Sequence, residues 1–412
     1  MREHPLRRQV VGEMHLRRWP TLQVPMTIVQ LIRLVPEDAR ETERAAVRAS
    51  DGARHVAGEF DETIRFTWER HSEASSLTLF IALPDASLFL NPRAEPRVAR
   101  ALDWAESLPG EVLRASCIWL AVSDAEAEKA VAAANFSASD LVSCRIGGGA
   151  RLWSDFRIRA DGYGSQVVAA NGVHDGDLSR LVQRVEELAN YRNMALLGLP
   201  VAQQCWPRLN DAEHALQALA TDVLRTDMRD DDLLERTSAL SLDLMSIAAA
   251  ANFRMSATAA YAELVDERLR GLAVEPIAGF QSLVDFSQRR FLPAVRTCAS
   301  FTQRENQLSQ RSAQFTSLLR TRIETRIENQ NAKLLASMEA NAARQLRLQQ
   351  LVEGLSVVAV SYYTLGLLAY IFKGVEEAHP GFPAALAIGI AAIPVVLAIW
   401  FVLGRVKKRL LH

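Results

Sequence analysis

Gln345-Leu-Arg-Leu-Gln-Gln-Leu-Val-Glu-Gly-Leu-Ser-Val-Val-Ala-Val-Ser-Tyr-Tyr363 decides how this chain is organised. Its first half is polar, with apolar residues at helical spacing. Its second half opens an uncharged run, Leu355–Phe372, whose 18 residues are just long enough to span a bilayer as a helix. A second uncharged run, Phe382–Leu403, follows a short segment, Lys373–Gly381. Pro394 inside that second run is compatible with a helix in lipid. The segment between the runs carries one Lys against two Glu, Glu376 and Glu377. Positive charge sits outside the runs instead. Arg344 and Arg347 precede the first, and Arg405, Lys407, Lys408 and Arg409 follow the second. The positive-inside rule then predicts a multi-pass membrane protein, with the lipid bilayer as partner and both termini in the cytoplasm. Ala385/Gly389 and Ala387/Ala391 are small-xxx-small pairs that permit close helix contact.

Working back, residues 293–353 hold almost no helix breaker and predict one long stalk helix. A helix of about 60 residues is roughly 90 Å long. Phe301, Leu308 and Phe315 recur at intervals of seven. The stripe then continues through Leu319, Ile323, Ile327, Leu334, Met338, Ala342 and Leu346, mostly four apart. This is not a strict heptad, so no long left-handed coiled coil is expected. The stripe must still be covered, by other helices or by a neighbouring subunit, which makes the chain an expected homo-oligomer.

Residues 173–292 read as a helical domain. Helices are expected over Asp177–Leu197, from Asn210 to about Arg225 behind a capping box at Asn210, over Leu233–Ala250, over Ser256–Leu272 and over Gly279–Phe291. Asp230-Asp231-Asp232 suits a helix N-terminus, where the dipole stabilises acidic side chains.

Residues 1–172 mix strand and helix signals. Thr27–Val35, Thr63–Trp68, Leu77–Leu83, Val112–Val122, Leu141–Ile146, Ala150–Ile158 and Gly164–Ala169 read as strands. Pro36–Ser50, Pro96–Leu108 and Ser123–Asn135 read as helices, the last with Ser123 as N-cap. Gly147-Gly148-Gly149 reads as a turn, because it lacks the Lys-Ser/Thr of a phosphate loop. The expected architecture is α+β: a mixed α/β domain (1–172), a helical domain (173–292), a stalk (293–353), a transmembrane hairpin (354–404) and a basic tail (405–412).

The 412 residues are 49% hydrophobic and 23% charged, with net charge -1. That balance gives no global attraction to nucleic acid. Cys117, Cys144, Cys205 and Cys298 are widely spaced, which excludes a thiolate zinc motif and suits small buried residues in a reducing compartment. No cofactor motif is present, and no secretory signal opens the chain.

Two polar clusters are the candidate chemistry. One is Trp68-Glu69-Arg70-His71-Ser72-Glu73. On a strand its side chains alternate, placing Glu69, His71 and Glu73 on one face. Glu13 and His15 stand in the same i, i+2 relation. Carboxylates flanking an imidazole suit a divalent cation or a proton-transferring His. Ordinary surface ion pairs explain the same residues.

Several of these stretches carry a resemblance. They are His4-Pro-Leu-Arg7, Glu13-Met-His15-Leu-Arg17, Trp68–Glu73, Arg320-Thr-Arg-Ile323, Gln330-Asn331, Leu334–Met338, Gln345–Gln349 and Val352–Tyr363. With them the chain resembles, over nearly its whole length, a bacterial family of uncharacterised membrane-anchored proteins known only as a domain of unknown function. An aromatic residue is expected after Glu73 in that family, and Ala74 stands there. The resemblance implies a location in the bacterial cytoplasmic (inner) membrane and no catalytic residues. In plan alone the chain is also similar to the CorA-type magnesium channels, but Phe372-Lys-Gly374 stands where those carry Gly-Met-Asn.

Three functions are then in view. The leading one is a membrane-anchored scaffold or regulatory protein without enzymatic activity. The second is an oligomeric cation channel or transporter. The third is a tethered metal-dependent enzyme using Glu69, His71 and Glu73 with His15.

Overall fold

The computed structural model of the chain describes residues 3–13, 19–225, 228–378 and 383–410. Two compact units emerge, Met1–Thr316 and Ser317–His412.

The first unit is built on one nine-stranded sheet. Its strands are β1 (Met26–Leu34), β2 (His55–Glu59), β3 (Ile64–Arg70), β4 (Ala74–Ile81), β5 (Glu111–Ala121), β6 (Val142–Ile146), β7 (Ala150–Ser154), β8 (Gly164–Ala169) and β9 (Glu275–Pro276). Their order is β2-β3-β4-β1-β5-β8-β7-β6-β9. Every pairing is antiparallel except β5 with β8. β9 comes from the otherwise helical segment, which thereby shares the sheet.

Alternation along the strands sorts the side chains between two cores. Val29, Leu31, Trp68, Leu79, Cys117, Trp119 and Val167 face one side, with Val98, Leu102 and Ala127. That side is covered by α4 (Pro96–Glu106) and α5 (Asp124–Ala133), with short helices α2 (Arg40–Ala46) and α3 (Ser87–Leu90) near them. Ile28, Phe80, Ile118, Leu120, Leu152 and Val168 face the other side. There α6 (Asp175–Leu196) lays Leu178, Leu181, Val182, Val185 and Leu188 on the sheet. Helix α1 (Arg7–Glu13) precedes all of this.

The helical part has fewer and longer elements than the sequence pattern suggested. α7 runs Gly198–Asp222 straight through Pro207. Asn210 is therefore no cap. It lies mid-helix and accepts from Arg304 Nη1 at 2.8 Å. α8 runs Asp230–Gly271 without a break. Its first turn holds Asp230, Asp231 and Asp232, as the dipole argument requires. Expected helix Gly279–Phe291 is instead a loop, a short α9 (Leu283–Phe286) and a π-turn, Ser287–Phe291. Expected helix Pro36–Ser50 shortens to a 3₁₀ turn and α2. Ser123 makes no capping bond. Asn171 Oδ1 accepts the Asp124 N–H instead, at 2.9 Å.

The glycine turn is confirmed between β6 and β7. Gly147 and Gly148 have φ of +58° and +77°. A Cβ at Gly147 would also meet the Leu181 side chain of α6 at 2.5 Å, so that side chain would have to shift for any other residue there.

From Leu292 a single helix, α10, runs to Ala378, and α11 runs Ala384–Leu410. In the first unit, α10 packs on α7 and α8. Phe301 meets the Trp206 ring at 5.8 Å, Arg304 pairs with Glu213, and Ser312 meets Ser241 at 3.1 Å. Leu355 and Phe372 lie within α10 and Leu403 within α11, while Phe382 falls outside the described residues. Much of the expected Lys373–Gly381 loop is helical, as α10 continues to Ala378. Both terminal helices are long and apolar enough to cross a membrane, and their most apolar windows are only 6% and 0% buried. Core helices of that hydrophobicity would be covered by the fold.

Candidate functional site: a polar row beneath α6

Strand register assembles a row of side chains on the face beneath α6. His55 of β2 pairs with Glu69 of β3, and Glu69 with Ser76 of β4. Ser76 pairs with Ile32 of β1, and Ile32 with Arg114 of β5. One step along, Thr78, Gln30 and Ser116 form a parallel row. Residues directly opposite in register share a face, so two rows cross the sheet together.

The inner end is a buried hydrogen-bond network. Glu186 of α6 is fully buried. Arg114 donates to it from both terminal nitrogens, each at 2.8 Å. Ser116 Oγ donates to it at 2.7 Å and Gln166 Nε2 at 2.9 Å. Arg114 Nη1 also donates to Asn190 Oδ1 at 2.9 Å, and Asn190 Nδ2 donates to Gln30 Oε1 at 2.8 Å. Gln30 Nε2 then reaches Thr78 Oγ1 at 2.9 Å. A bidentate Arg–carboxylate pair with further donors is the arrangement that makes a buried charge tolerable. Arg192, two residues beyond Asn190, is a second buried cation. Its guanidinium stacks on Phe156 and Phe286 at 4.5 and 5.0 Å. Burial pushes its pKa down to about 10, so it stays charged at neutral pH.

The outer end is a cavity of about 20 Å³, lined by Trp19, Glu69, His71, Gln183, Glu187 and Tyr191 among others. That volume admits about one water molecule. His71 Nδ1 lies 3.9 Å from Glu69 Oε1. The expected alternation of Glu69, His71 and Glu73 along a strand does not occur. β3 ends at Arg70, and the His71 N–H closes a turn onto the Ala74 carbonyl at 2.8 Å. The turn sends the third residue elsewhere. Glu73 pairs with Arg254 of α8 at 2.8 Å. Ser72 meets the Tyr261 hydroxyl at 3.4 Å, and Tyr261 stacks on Tyr191 of α6. Arg268 of α8 in turn donates to Glu187 of α6 at 2.5 Å. The hairpin tip is thus pinned to both helices.

His55 escaped the sequence reading. Only register brings it opposite Glu69, and no local pattern announces that. Burial lowers its pKa, while the Glu69 carboxylate pulls it back up. Glu13 closes α1, and His15 lies outside the described residues. Among the described residues, no group of three or more His, Cys, Asp or Glu is placed to hold a metal ion. What the arrangement does on this geometry is mechanical: it locks the β3–β4 tip, the sheet and two helices together.

At the other end of the chain, Arg344 and Arg347 are exposed on α10 ahead of its apolar stretch. Arg405 lies on α11 with its guanidinium 5.6 Å from the Phe401 ring centre. Lys407, Lys408 and Arg409 fall in the last turns of that helix.

No curated protein and no solved structure matches this chain. A family model does, over residues 2–410. By that match the chain belongs to the family described as protein of unknown function (DUF3422).

Proposed function

We propose that this is a membrane-anchored scaffold or regulatory protein, self-associating, with its folded body held on the cytoplasmic face of the bacterial inner membrane. The observation that carries the reading is the near-complete exposure of the two apolar windows, 6% and 0% buried, in a protein whose sheet and helix α6 bury their apolar faces. Water does not tolerate such helices, and lipid does. The flanking charges Arg344, Arg347 and Arg405 support a topology with both helix ends on the cytoplasmic side. The polar row supports a structural rather than a catalytic role. Its inner groups are engaged with one another, and its cavity is too small for a substrate.

Fractionation with topology labelling tests this. The four native cysteines are buried, so an introduced thiol reports alone. The full chain is expected to sediment with membranes and resist both salt and alkaline extraction. Glu376→Cys is expected to react with an impermeant maleimide from the periplasmic side only. Release by alkali contradicts the anchoring. Labelling from the cytoplasmic side contradicts the topology.

A further inference from the structure

Helix α10 changes character along its length. Its buried positions in the first unit are Cys298, Phe301, Glu305, Leu308 and Ser312, alternating three and four apart. That is a heptad spacing, and α7 and α8 cover it. From Ile323 the spacing becomes four, four, three: Ile323, Ile327, Asn331, Leu334, Met338, Ala342, Gln345. Eleven residues then make three turns, a repeat that suits nearly straight or right-handed packing between helices. Every residue from Glu324 to Val352 is exposed. Ile327, Leu334 and Met338 are 51%, 61% and 62% exposed. The stripe from Ile323 to Gln345 is about 33 Å long at the usual helical rise.

Charge says what covers it. At about 98° per residue for this repeat, Glu324, Glu328 and Glu339 fall on one side of the stripe. Arg322, Arg326, Lys333 and Arg344 fall on the other. Two such helices side by side in the same direction set each acidic flank against the partner's basic flank. Antiparallel, they set acid on acid and base on base. The pattern is self-complementary in one direction only, and that direction is also the one that brings both apolar ends to the same side.

We propose that the α10 face carrying Ile323, Ile327, Leu334 and Met338 packs in parallel against the same face of a second copy of this chain. The proposal rests on the self-association proposed above and adds its face, direction and register. It does not depend on which compartment holds the body.

Two measurements separate the failure of each. Full-length protein in detergent is expected at a protein mass at least twice the 45.6 kDa of one chain. A monomer overturns self-association and this inference together. Cysteine crosslinking in membranes tests the inference alone, since the native thiols are buried. In a parallel in-register pair, Ile327→Cys and Met338→Cys each meet their own copy. An antiparallel pair can superpose at most one of them. Disulfide dimers are expected for both, and not for Ala336→Cys on the opposite side of the helix. Dimers at one position only, at neither, or equally at all three overturn the proposal. Replacing Glu324, Glu328 and Glu339 by Lys in the Met338→Cys chain is expected to cut the crosslinked yield about tenfold, because like flanks then meet. Replacing Arg322, Arg326, Lys333 and Arg344 by Glu as well is expected to restore it. A yield indifferent to the first set of changes also overturns the proposal.

Discussion

The two stretches of α10 on either side of Leu319 are one continuous helix under opposite conditions. Before it, an apolar seam spaced three and four apart is buried, with Phe301 and Leu308 at 1% and 2% exposure. After it, Leu334, Met338 and Leu346 stand above 60% exposed on a helix bare on every side. Helicity is the same and composition is similar. What differs is the period of the seam, and with it the kind of neighbour that fits. With the parallel pairing proposed above, one long helix carries one code for its own fold and another for assembly, and the change of period marks the boundary.

Mutations that treat the two stretches alike should break this comparison first. Phe301→Ala empties a packed site against Trp206 and is expected to cost the body about 3–5 kcal/mol in denaturant unfolding. Leu334→Ala removes a similarly apolar group from an exposed site and is expected to shift that same transition by less than about 0.5 kcal/mol, while weakening assembly. Equal shifts in the body's unfolding would contradict the division.

Charges sharpen the contrast. Arg114→Met leaves Glu186 buried without its main partner and is expected to destabilise the body by about 3 kcal/mol or more. Glu328→Gln on the bare stretch is expected to leave the body's unfolding midpoint unchanged and to make assembly less sensitive to salt. A similar loss of body stability from both changes would show that Arg114 is not holding a desolvated charge.

The smallest effect lies at the sheet edge. Burial depresses the His55 pKa in the folded state below its ordinary value of about 6.5. The unfolded chain therefore binds more protons there, and stability rises with pH across that window. Stability is expected to fall as pH drops below about 6.5, and His55→Gln should flatten part of that slope. An unchanged slope in His55→Gln would place the titration elsewhere.

The strongly patterned elements were legible in the sequence. β8 occupies the bounds its Val-rich run suggests, and β1, β5 and α6 fall within one or two residues of expectation. The polar run Glu69–Ser76, which lies between the expected strands Thr63–Trp68 and Leu77–Leu83, is mostly strand. Its polarity has a cause that only tertiary structure supplies: Ser75 donates to the buried Glu43, and Ser76 faces the cavity under α6. β2, which contains Gly58, and the two-residue β9 show no alternation to read. Asn210 resembled the cap of a helix because the local signal is the same at a cap and mid-helix. Of the candidate site, Glu69 and His71 were legible and do meet. Glu73 was assigned to the wrong face, and His55, Arg114 and Glu186 were invisible, since register and packing alone unite residues up to 131 positions apart.

Hydrogen exchange in the full-length, detergent-solubilised chain, followed through a dilution series, tests the two-code account of α10 most directly. The account predicts that amides of residues 298–316 keep the same protection at every concentration, because the body covers them. It predicts that amides of residues 323–349 lose protection on dilution, as copies separate. Exchange in 323–349 that is independent of concentration, whether fast or slow, would contradict it.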